Sequence, residues 1–314
     1  MKIRAYTTLA LAVSMAGLAS CGNSSDTTLS TPTSGNTNIS VDESFQPILE
    51  SQVDTFEGIY ERANIDAAYK PEGEVVKELI NDSTRIAILS RELTPEEVAT
   101  IEKNKRIPRT TRIAVDAVAL ITNPNNPDSL LTLDEVKDIF NGRVKNWNKL
   151  EEDTKLGDIT IVFDNNNSST ARYVRDSLTT DKKLPQNTFA ANSHQALIDY
   201  VAQNENALGV IGVNWISDLD DSTAVSFLNK IKVVGISKDP APLTTESFYQ
   251  PYQAYIAQQA YPLRRYLYVI STEGRTGLGT GFASFLGGDQ GQRIFLKSGL
   301  VPATMPVRVV GLRN

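Results

Sequence analysis

The feature that most constrains the fold is a regular alternation of strand-like and helix-like segments. Residues 113–122 form an apolar run, Ile-Ala-Val-Asp-Ala-Val-Ala-Leu-Ile-Thr, which predicts a strand buried on both faces. Residues 45–62 and 193–203 have the periodicity of amphipathic helices. This alternation favours a mainly parallel sheet with helices on both faces. Ligands of such folds bind beyond the carboxyl ends of the strands, so we look for a site there.

Two helix starts are marked by capping residues. Thr132 and Glu135 have the spacing of a capping box, in which each side chain accepts a hydrogen bond from the backbone of the other residue. Thr94 precedes Pro95, and proline is common in the first turn of a helix. We therefore predict helices that begin at these two positions, one of them ending at Phe140.

Residues 159–173 predict a strand, an Asn-rich turn and a helix that begins at Ser168, Ser169 and Thr170. The first N–H groups of a helix have no partner within it, and the helix dipole adds partial positive charge there. Hydroxyl side chains at this point make a candidate anion site. The alternative interpretation is that Ser168 or Ser169 only caps the helix.

The first residues have the pattern of an export signal. Lys2 and Arg4 precede an apolar run that ends at Cys21, the only cysteine of the chain. We interpret residues 1–20 as a lipoprotein signal peptide and Cys21 as the lipidated residue. The alternative is an ordinary signal peptide followed by an unrelated cysteine. Residues 21–38 are rich in Ser, Thr, Asn and Gly and predict a flexible tether. The protein would then be anchored by its lipid in the cell envelope, facing the periplasm.

Composition argues against several classes of function. The net charge is −6 at pH 7, and an acidic chain binds nucleic acid and anionic lipid poorly. The only histidine, His194, is predicted to have a structural role in a first helical turn. Neither a metal cluster nor a Ser-His-Asp set can be assembled from these residues. We predict no catalytic residue, no metal and no cofactor, and therefore not an enzyme.

Six segments match a known family in the right order. They are Ser90-Arg91-Glu-Leu-Thr-Pro and residues 114–124, 133–147, 209–215, 261–268 and 281–302. Together they resemble the phosphate-binding proteins of bacterial ABC importers, the PstS-like group of type II periplasmic binding proteins. The resemblance covers roughly residues 39–311.

The resemblance implies an α/β fold with two lobes and a ligand cleft between them. Residues 39–115 and 250–314 would form one lobe, and residues 116–249 the other. Closure of the lobes over the ligand would be the working motion. The function implied is capture of inorganic phosphate, or a similar small anion, for delivery to an ABC permease in the inner membrane. We expect a monomer.

The resemblance also implies ligand-binding residues. Three loops hold the anion in the family, one after each of three strands. The Ser-Gly-Thr motif of the family corresponds here to Ser168, Ser169 and Thr170, and its Ser-Arg turn corresponds to Ser90 and Arg91. In the first loop, Ser44 supplies a hydroxyl.

Several positions depart from the family pattern. Asp164 stands where an arginine is usual, and Arg172 could supply the missing guanidinium. An ionised Asp accepts the hydrogen bond of a protonated phosphate oxygen, which sulfate lacks. Asp42, Asp116 and Asp164 are the candidates for that role, and the sequence does not choose among them.

Three further acids lie in loops that are rich in Gly, Ser and Thr in the family. They are Glu43, Glu72 and Glu74. Carboxylates near phosphate would repel it. We predict instead that these three side chains point to solvent as favourable charges at helix starts.

The acidic loops keep two other functions open. The same fold could bind another small ligand, as an envelope sensor or surface factor. The third hypothesis is an envelope phosphatase.

Overall fold

The fold is described from a computed structural model of residues 30–150, 155–242 and 244–307. The predicted signal peptide and Cys21 lie outside the described residues. Within those three ranges, no helix has the length and apolar character needed to cross a membrane.

The strands and helices alternate, as the sequence predicts. The strands of the described residues are β1 (Gly35–Asp42), β2 (Ala63–Lys70), β3 (Ile86–Leu89), β4 (Arg109–Thr122), β5 (Leu130–Thr132), β6 (Thr160–Phe163), β7 (Thr188–Ala190), β8 (Ala207–Gly212), β9 (Lys232–Val233), β10 (Gly235–Ser237), β11 (Arg264–Ser271) and β12 (Val301–Pro302). The α-helices are α1 (Gln46–Ile59), α2 (Glu72–Ile80), α3 (Pro95–Lys103), α4 (Leu133–Phe140), α5 (Ser169–Ser177), α6 (His194–Gln203), α7 (Ser222–Leu228), α8 (Gln253–Ala257), α9 (Leu278–Gly287) and α10 (Asp289–Lys297).

The predicted helix starts are confirmed. Thr94 and Thr132 each form both hydrogen bonds of a capping box, at the starts of α3 and α4. The side chain of Ser168 caps α5, and that of Ser193 caps α6. These caps fix where the helices begin after the strands, and hence where the loops between them lie.

The long strand β4 runs through both parts of the molecule. The main sheet has the order β2-β1-β3-β11-β4-β8-β6-β7. Residues 109–117 of β4 pair with β11, and residues 118–122 pair with β8. The short strands β12 and β9 also pair with β4. One strand therefore belongs to the sheets on both sides of the molecule.

The sheet is mixed rather than mainly parallel. β1 pairs in parallel with β2 and β3, and β6 pairs in parallel with β7 and β8. The pairs that β4 forms with β11, β8, β9 and β12 are antiparallel. β4 and β11 are neighbours that carry the chain in opposite directions along the sheet, and this makes its centre antiparallel. The α/β, two-lobed fold class is confirmed.

The buried apolar side chains form two large clusters that meet along β4. One cluster contains β1, α1, α9 and the first half of β4, with Ile113 and Ala114. The other contains β6, β8, α6 and the second half of β4, with residues 117–121. A smaller cluster lies between α2 and β3. The loops near the middle of β4 therefore lie between two separate cores.

Part of the predicted tether has regular structure. Residues 35–38, predicted as the end of the tether, form the first half of β1 and pair with β2. The side chain of Ser30 accepts a hydrogen bond of 2.9 Å from Leu278 N at the start of α9. This polar segment is held by backbone hydrogen bonds and by a helix cap rather than by apolar burial. The composition of the segment does not reveal these bonds.

Candidate functional site

The loops that follow β1, β3 and β6 meet between the two cores. Ser44 Oγ lies 3.0 Å from Ser169 Oγ, and Ser90 Oγ accepts a hydrogen bond of 2.7 Å from Arg172 Nη2. The two residues of the first pair are completely buried. The structure thus brings together four of the residues predicted to bind the ligand.

The start of α5 is a closed network of hydroxyl groups. Ser168 Oγ accepts a hydrogen bond of 3.3 Å from Ala171 N and lies 2.8 Å from Thr170 Oγ1. Thr170 Oγ1 donates to Asp164 Oδ1 at 2.9 Å. Ser168, Ser169 and Thr170 are all buried. Asp164 therefore holds the helix start in place, although the family pattern has an arginine at this position.

The network predicts a stability effect at Thr170. Thr170→Val should lower the free energy of unfolding by about 1–3 kcal/mol, because Asp164 and Ser168 would each lose a buried partner. Urea unfolding measures the change. Thr100→Val is the control, since Thr100 is exposed and donates to the backbone of its own helix. Equal losses in the two variants would contradict the prediction.

Arg265 is a site residue that the sequence analysis missed. Its Nε donates to Asp116 Oδ2 at 2.8 Å, and its Nη1 donates to Ser169 Oγ at 2.8 Å. Its guanidinium carbon lies 4.6 Å from the centre of the Phe45 ring. Any Cβ at Gly212 would lie 2.7 Å from Arg265 Nη2, so this approach requires glycine. Arg265 is only 3% exposed, and its Nη2 has no hydrogen-bond partner among the described residues.

A sequence signal for Arg265 existed. Asp116 is the only charge in the apolar run 113–122, and Arg265 lies directly opposite it in the strand that pairs with this run. A buried charge requires a partner. The opposing strand begins with Arg264 and Arg265, so the sequence narrows the partner of Asp116 to these two arginines, and the strand register selects Arg265.

Glu72 is buried, and the prediction that it points to solvent was wrong. It is 2% exposed. Its Oε1 accepts hydrogen bonds from Ser90 N at 3.1 Å and from Ser90 Oγ at 2.8 Å, and its Oε2 accepts one from Arg172 Nε. The network of donors around the carboxylate replaces the water that an exposed side chain would have. Glu74, in contrast, is exposed as predicted.

Arg91 forms an ion pair with another acid. Its Nη1 and Nη2 donate to the two carboxylate oxygens of Glu97 at 2.7 and 2.8 Å. Its Nε lies 3.8 Å from Glu72 Oε2. Two carboxylates, those of Glu97 and Glu72, therefore lie next to this guanidinium.

Asp42 lies at the end of β1 and is completely buried. Its Oδ1 accepts a hydrogen bond from Ser44 N at 3.1 Å, and its Oδ2 has no hydrogen-bond partner within the described ranges. Burial raises the pKa of Asp42 to about 7, and the charge of Glu72 acts in the same direction, while Arg265 opposes both effects. The carboxyl of Asp42 can therefore gain or lose a proton near neutral pH.

Glu43 also titrates near neutral pH. It is half-buried, in contrast to the exposed position that we predicted. Burial raises its pKa to about 7, and the charges of Asp164 and Glu74 act in the same direction. The cleft is thus more negative at pH 8 than at pH 6, because both carboxyl groups lose most of their protons over this interval.

His194 packs beside the start of α5. Its ring stacks on Trp215, with 4.0 Å between the ring centres, and its Nε2 lies 3.5 Å from Asp164 Oδ2. Burial lowers the pKa of His194, although Asp164 opposes this. A neutral, stacked ring agrees with the structural role predicted for His194.

A cavity of about 310 Å³ opens beside these groups. Its walls come from the starts of α2 and α5 and from four basic side chains, namely Lys77, Arg91, Arg172 and Arg175. In the described part of the chain, no group of three His, Cys, Asp or Glu side chains could hold a metal ion. Glu72 and Glu74 also line the cavity, so its walls carry charges of both signs.

Comparison with known proteins gives the family. The family model of the PBP superfamily domain matches residues 26–290. The chain belongs to the PBP (periplasmic binding protein) superfamily. The resemblance to periplasmic binding proteins found in the sequence is confirmed.

Individual PBP relatives are distant but nearly full-length. The phosphate-binding protein PstS of Bacillus subtilis is 24% identical over 307 residues, which cover 94% of this chain and 93% of the relative. The PstS of Pseudomonas aeruginosa is 21% identical, with 88% of this chain and 85% of the relative covered. A substrate-binding protein from Clostridium perfringens, solved with bound phosphate, has a TM-score of 0.71 and 22% identity, with 86% of this chain and 100% of that chain covered. The structural likeness shows the fold of this PBP. Its ligand is inferred from the residues of the site.

Proposed function

We propose that this protein captures inorganic phosphate between its two lobes and delivers it to an ABC importer. The observation that carries the proposal is the buried Arg265, whose Nη2 has no partner among the described residues. Its Nη1 donates to Ser169 Oγ, which lies 3.0 Å from Ser44 Oγ of the other lobe. A guanidinium and hydroxyl donors at a helix start are the groups that bind a phosphate oxygen. The names of the PstS relatives support the same ligand.

The ligand site proposed extends over the predicted residues. Ser44, Ser169 and Arg265 form its centre, with the capped start of α5 on one side. Ser168 and Thr170 belong to that helix start, as does Arg172 one turn further on. Ser90 and Arg91 lie on the other side with Glu72, which accepts hydrogen bonds from Ser90 and, across the cleft, from Arg172. We retain the predicted lobe boundaries as part of the proposal, with Asp116 next to the point where β4 passes between the lobes.

We propose Asp42 as the acceptor of the phosphate proton. Of the three candidates, Asp116 is bound to Arg265, and Asp164 is bound to Thr170 and lies beside His194. Each of the three has one carboxylate oxygen without a hydrogen-bond partner in the described ranges. Asp42 differs in that the bond it accepts comes from the backbone N of Ser44, a residue of the proposed site. An ionised carboxylate there would accept a hydrogen bond from phosphate and repel sulfate.

The cellular role proposed follows from the sequence and from the relatives. A lipid on Cys21 would anchor the protein in the envelope, facing the periplasm, and an ABC permease in the inner membrane would receive the ligand. The relatives are named as binding proteins, which supports a non-enzymatic role. We retain the predicted monomer as part of the proposal.

Calorimetric and thermal titrations test the ligand. The full chain, stripped of bound anions, is titrated with phosphate, arsenate and sulfate. Phosphate at 100 times its dissociation constant should stabilise the protein by about 2.7 kcal/mol, and sulfate at the same concentration should not. A protein that binds no phosphate would contradict the proposal.

The buried acids favour one second candidate. Asp42, Glu72, Asp116 and Asp164 all lie in the cleft and would repel a dianion. The same fold could therefore serve another small ligand in an envelope sensor. A response to another solute and none to phosphate would support this candidate.

A further inference from the structure

The carboxylate of Glu72 is bound as a ligand anion would be bound. Both of its oxygens accept hydrogen bonds, from the backbone and hydroxyl of Ser90 and from Arg172, and the side chain is almost completely buried. Ser90 Oγ is bonded at the same time to Arg172 Nη2 at 2.7 Å. Backbone N–H, hydroxyl and guanidinium groups are the donors typical of carboxylate and phosphate sites.

These donors are the residues that the sequence assigns to the ligand. Ser90 and Arg172 are both predicted to bind the free anion, and Arg91, also predicted, lies 3.8 Å from Glu72. The chain itself thus supplies an anion to half of the predicted site. Free phosphate could not share these donors, because two anions at van der Waals distance repel each other strongly at low dielectric constant.

The contact also joins the two lobes. Glu72 begins α2 in the lobe that contains β1, while Arg172 lies on α5 in the lobe that contains β6. An intramolecular partner acts at a high effective concentration, in the millimolar range for short connections. A free anion must compete with it for the same guanidinium.

We propose that Glu72 is a tethered anion that competes with the free ligand for Ser90 and Arg172 and so sets the affinity and selectivity of the cleft. This inference rests on the proposed function. A weakly binding, multiply charged anion would fail to displace Glu72. An anion that binds well enough to reach these donors must expel the carboxylate into the adjoining cavity of about 310 Å³, which Glu72 already lines.

Two substitutions break the same contact. They distinguish competition with the free ligand from the joining of the two lobes. Glu72→Ala and Arg172→Ala both remove the ion pair between the lobes, but only Glu72→Ala leaves the donors in place. Calorimetry of the full chain with inorganic phosphate at pH 8 should give at least about tenfold tighter binding for Glu72→Ala, equivalent to about 1.4 kcal/mol, and weaker binding for Arg172→Ala. Glu74→Ala is the control for the loss of one acidic charge beside the cavity, because Glu74 lies in the same helical turn but is exposed, and it should tighten binding much less. Glu72→Gln replaces Glu72→Ala if the latter fails to fold.

The outcomes separate this inference from the proposed function. If the unmodified protein binds phosphate and Glu72→Ala binds it no more tightly, the inference is overturned and the proposed function stands. If no variant binds phosphate, the proposed function fails, and small-angle scattering in anion-free buffer decides the inference. A larger radius of gyration for Glu72→Ala than for the unmodified protein would then support the Glu72 carboxylate as a tethered anion that holds the lobes together. Equal radii of gyration would reject it.

Discussion

Replacing Arg265 by methionine should lower the free energy of unfolding by about 3–5 kcal/mol and weaken phosphate binding at least about tenfold. The substitution leaves Asp116 as an unpaired charge in the middle of β4, where it is completely buried. It also removes the donor to Ser169 and the buried Nη2 group that we assign to the proposed ligand. Urea unfolding and phosphate calorimetry measure the two effects.

Two further variants separate stability from binding at this position. Arg293→Met is the control, because Arg293 is exposed and pairs with Asp289 on the surface. It should change neither quantity. Combining Arg265→Met with Asp116→Asn removes both charges and should restore much of the stability without restoring binding. If a folded Arg265→Met variant bound phosphate as tightly as the unmodified protein, Arg265 would not be part of the ligand site.

Replacing Asp42 by asparagine should stabilise the protein above neutral pH by roughly 2–4 kcal/mol. Burial raises the pKa of Asp42 to about 7 in the folded protein, whereas the unfolded chain releases this proton near the ordinary value of 3.8. The unmodified protein therefore loses stability as the pH rises from about 4 to 7, and the loss is constant above that range. The advantage of Asp42→Asn should grow over the same interval and then stay level.

Chemical denaturation at pH 4, 6 and 8 tests this profile. The new amide keeps an oxygen to accept the hydrogen bond from Ser44 N, so the cap of the turn survives in Asp42→Asn. Asp66→Asn is the control, because Asp66 is exposed on β2 and should show no such trend. A pH-independent difference between Asp42→Asn and the unmodified protein would contradict the assignment. Calorimetry with sulfate adds a second readout, since the amide should no longer reject it.

The fold was largely predictable because its signals are local. Capping residues such as Thr94, Thr132 and Ser168 act within one helical turn, and the apolar run in β4 indicates burial by composition alone. The direction of β11 was not predictable in this way, because a strand's neighbours depend on the path of the chain through both lobes. The order of the family motifs supplied the two-lobed arrangement.

The site was predictable only in part, because charges pair over long distances in the chain. The hydroxyls of Ser44 and Ser169 were assigned from motifs and do meet in the structure. The partner of Asp116 is Arg265, and the partner of Glu72 is Arg172, each far away in sequence. At a helix start, Glu72 has the sequence context of a solvent-exposed charge. The positions of Ser90 and of the opposing α5 together make it a buried acceptor.

The shared strand β4 has a consequence for the order in which the protein folds. The strands β6, β7 and β8 follow β4 closely, so this part of the sheet can complete soon after its residues are synthesised. β3, although made early, lacks its neighbour β11 until almost the whole chain exists. One of the first strands to be synthesised is therefore among the last to be covered. A nascent chain stopped before Arg264 would expose the edge of β3, a surface prone to pairing with other chains.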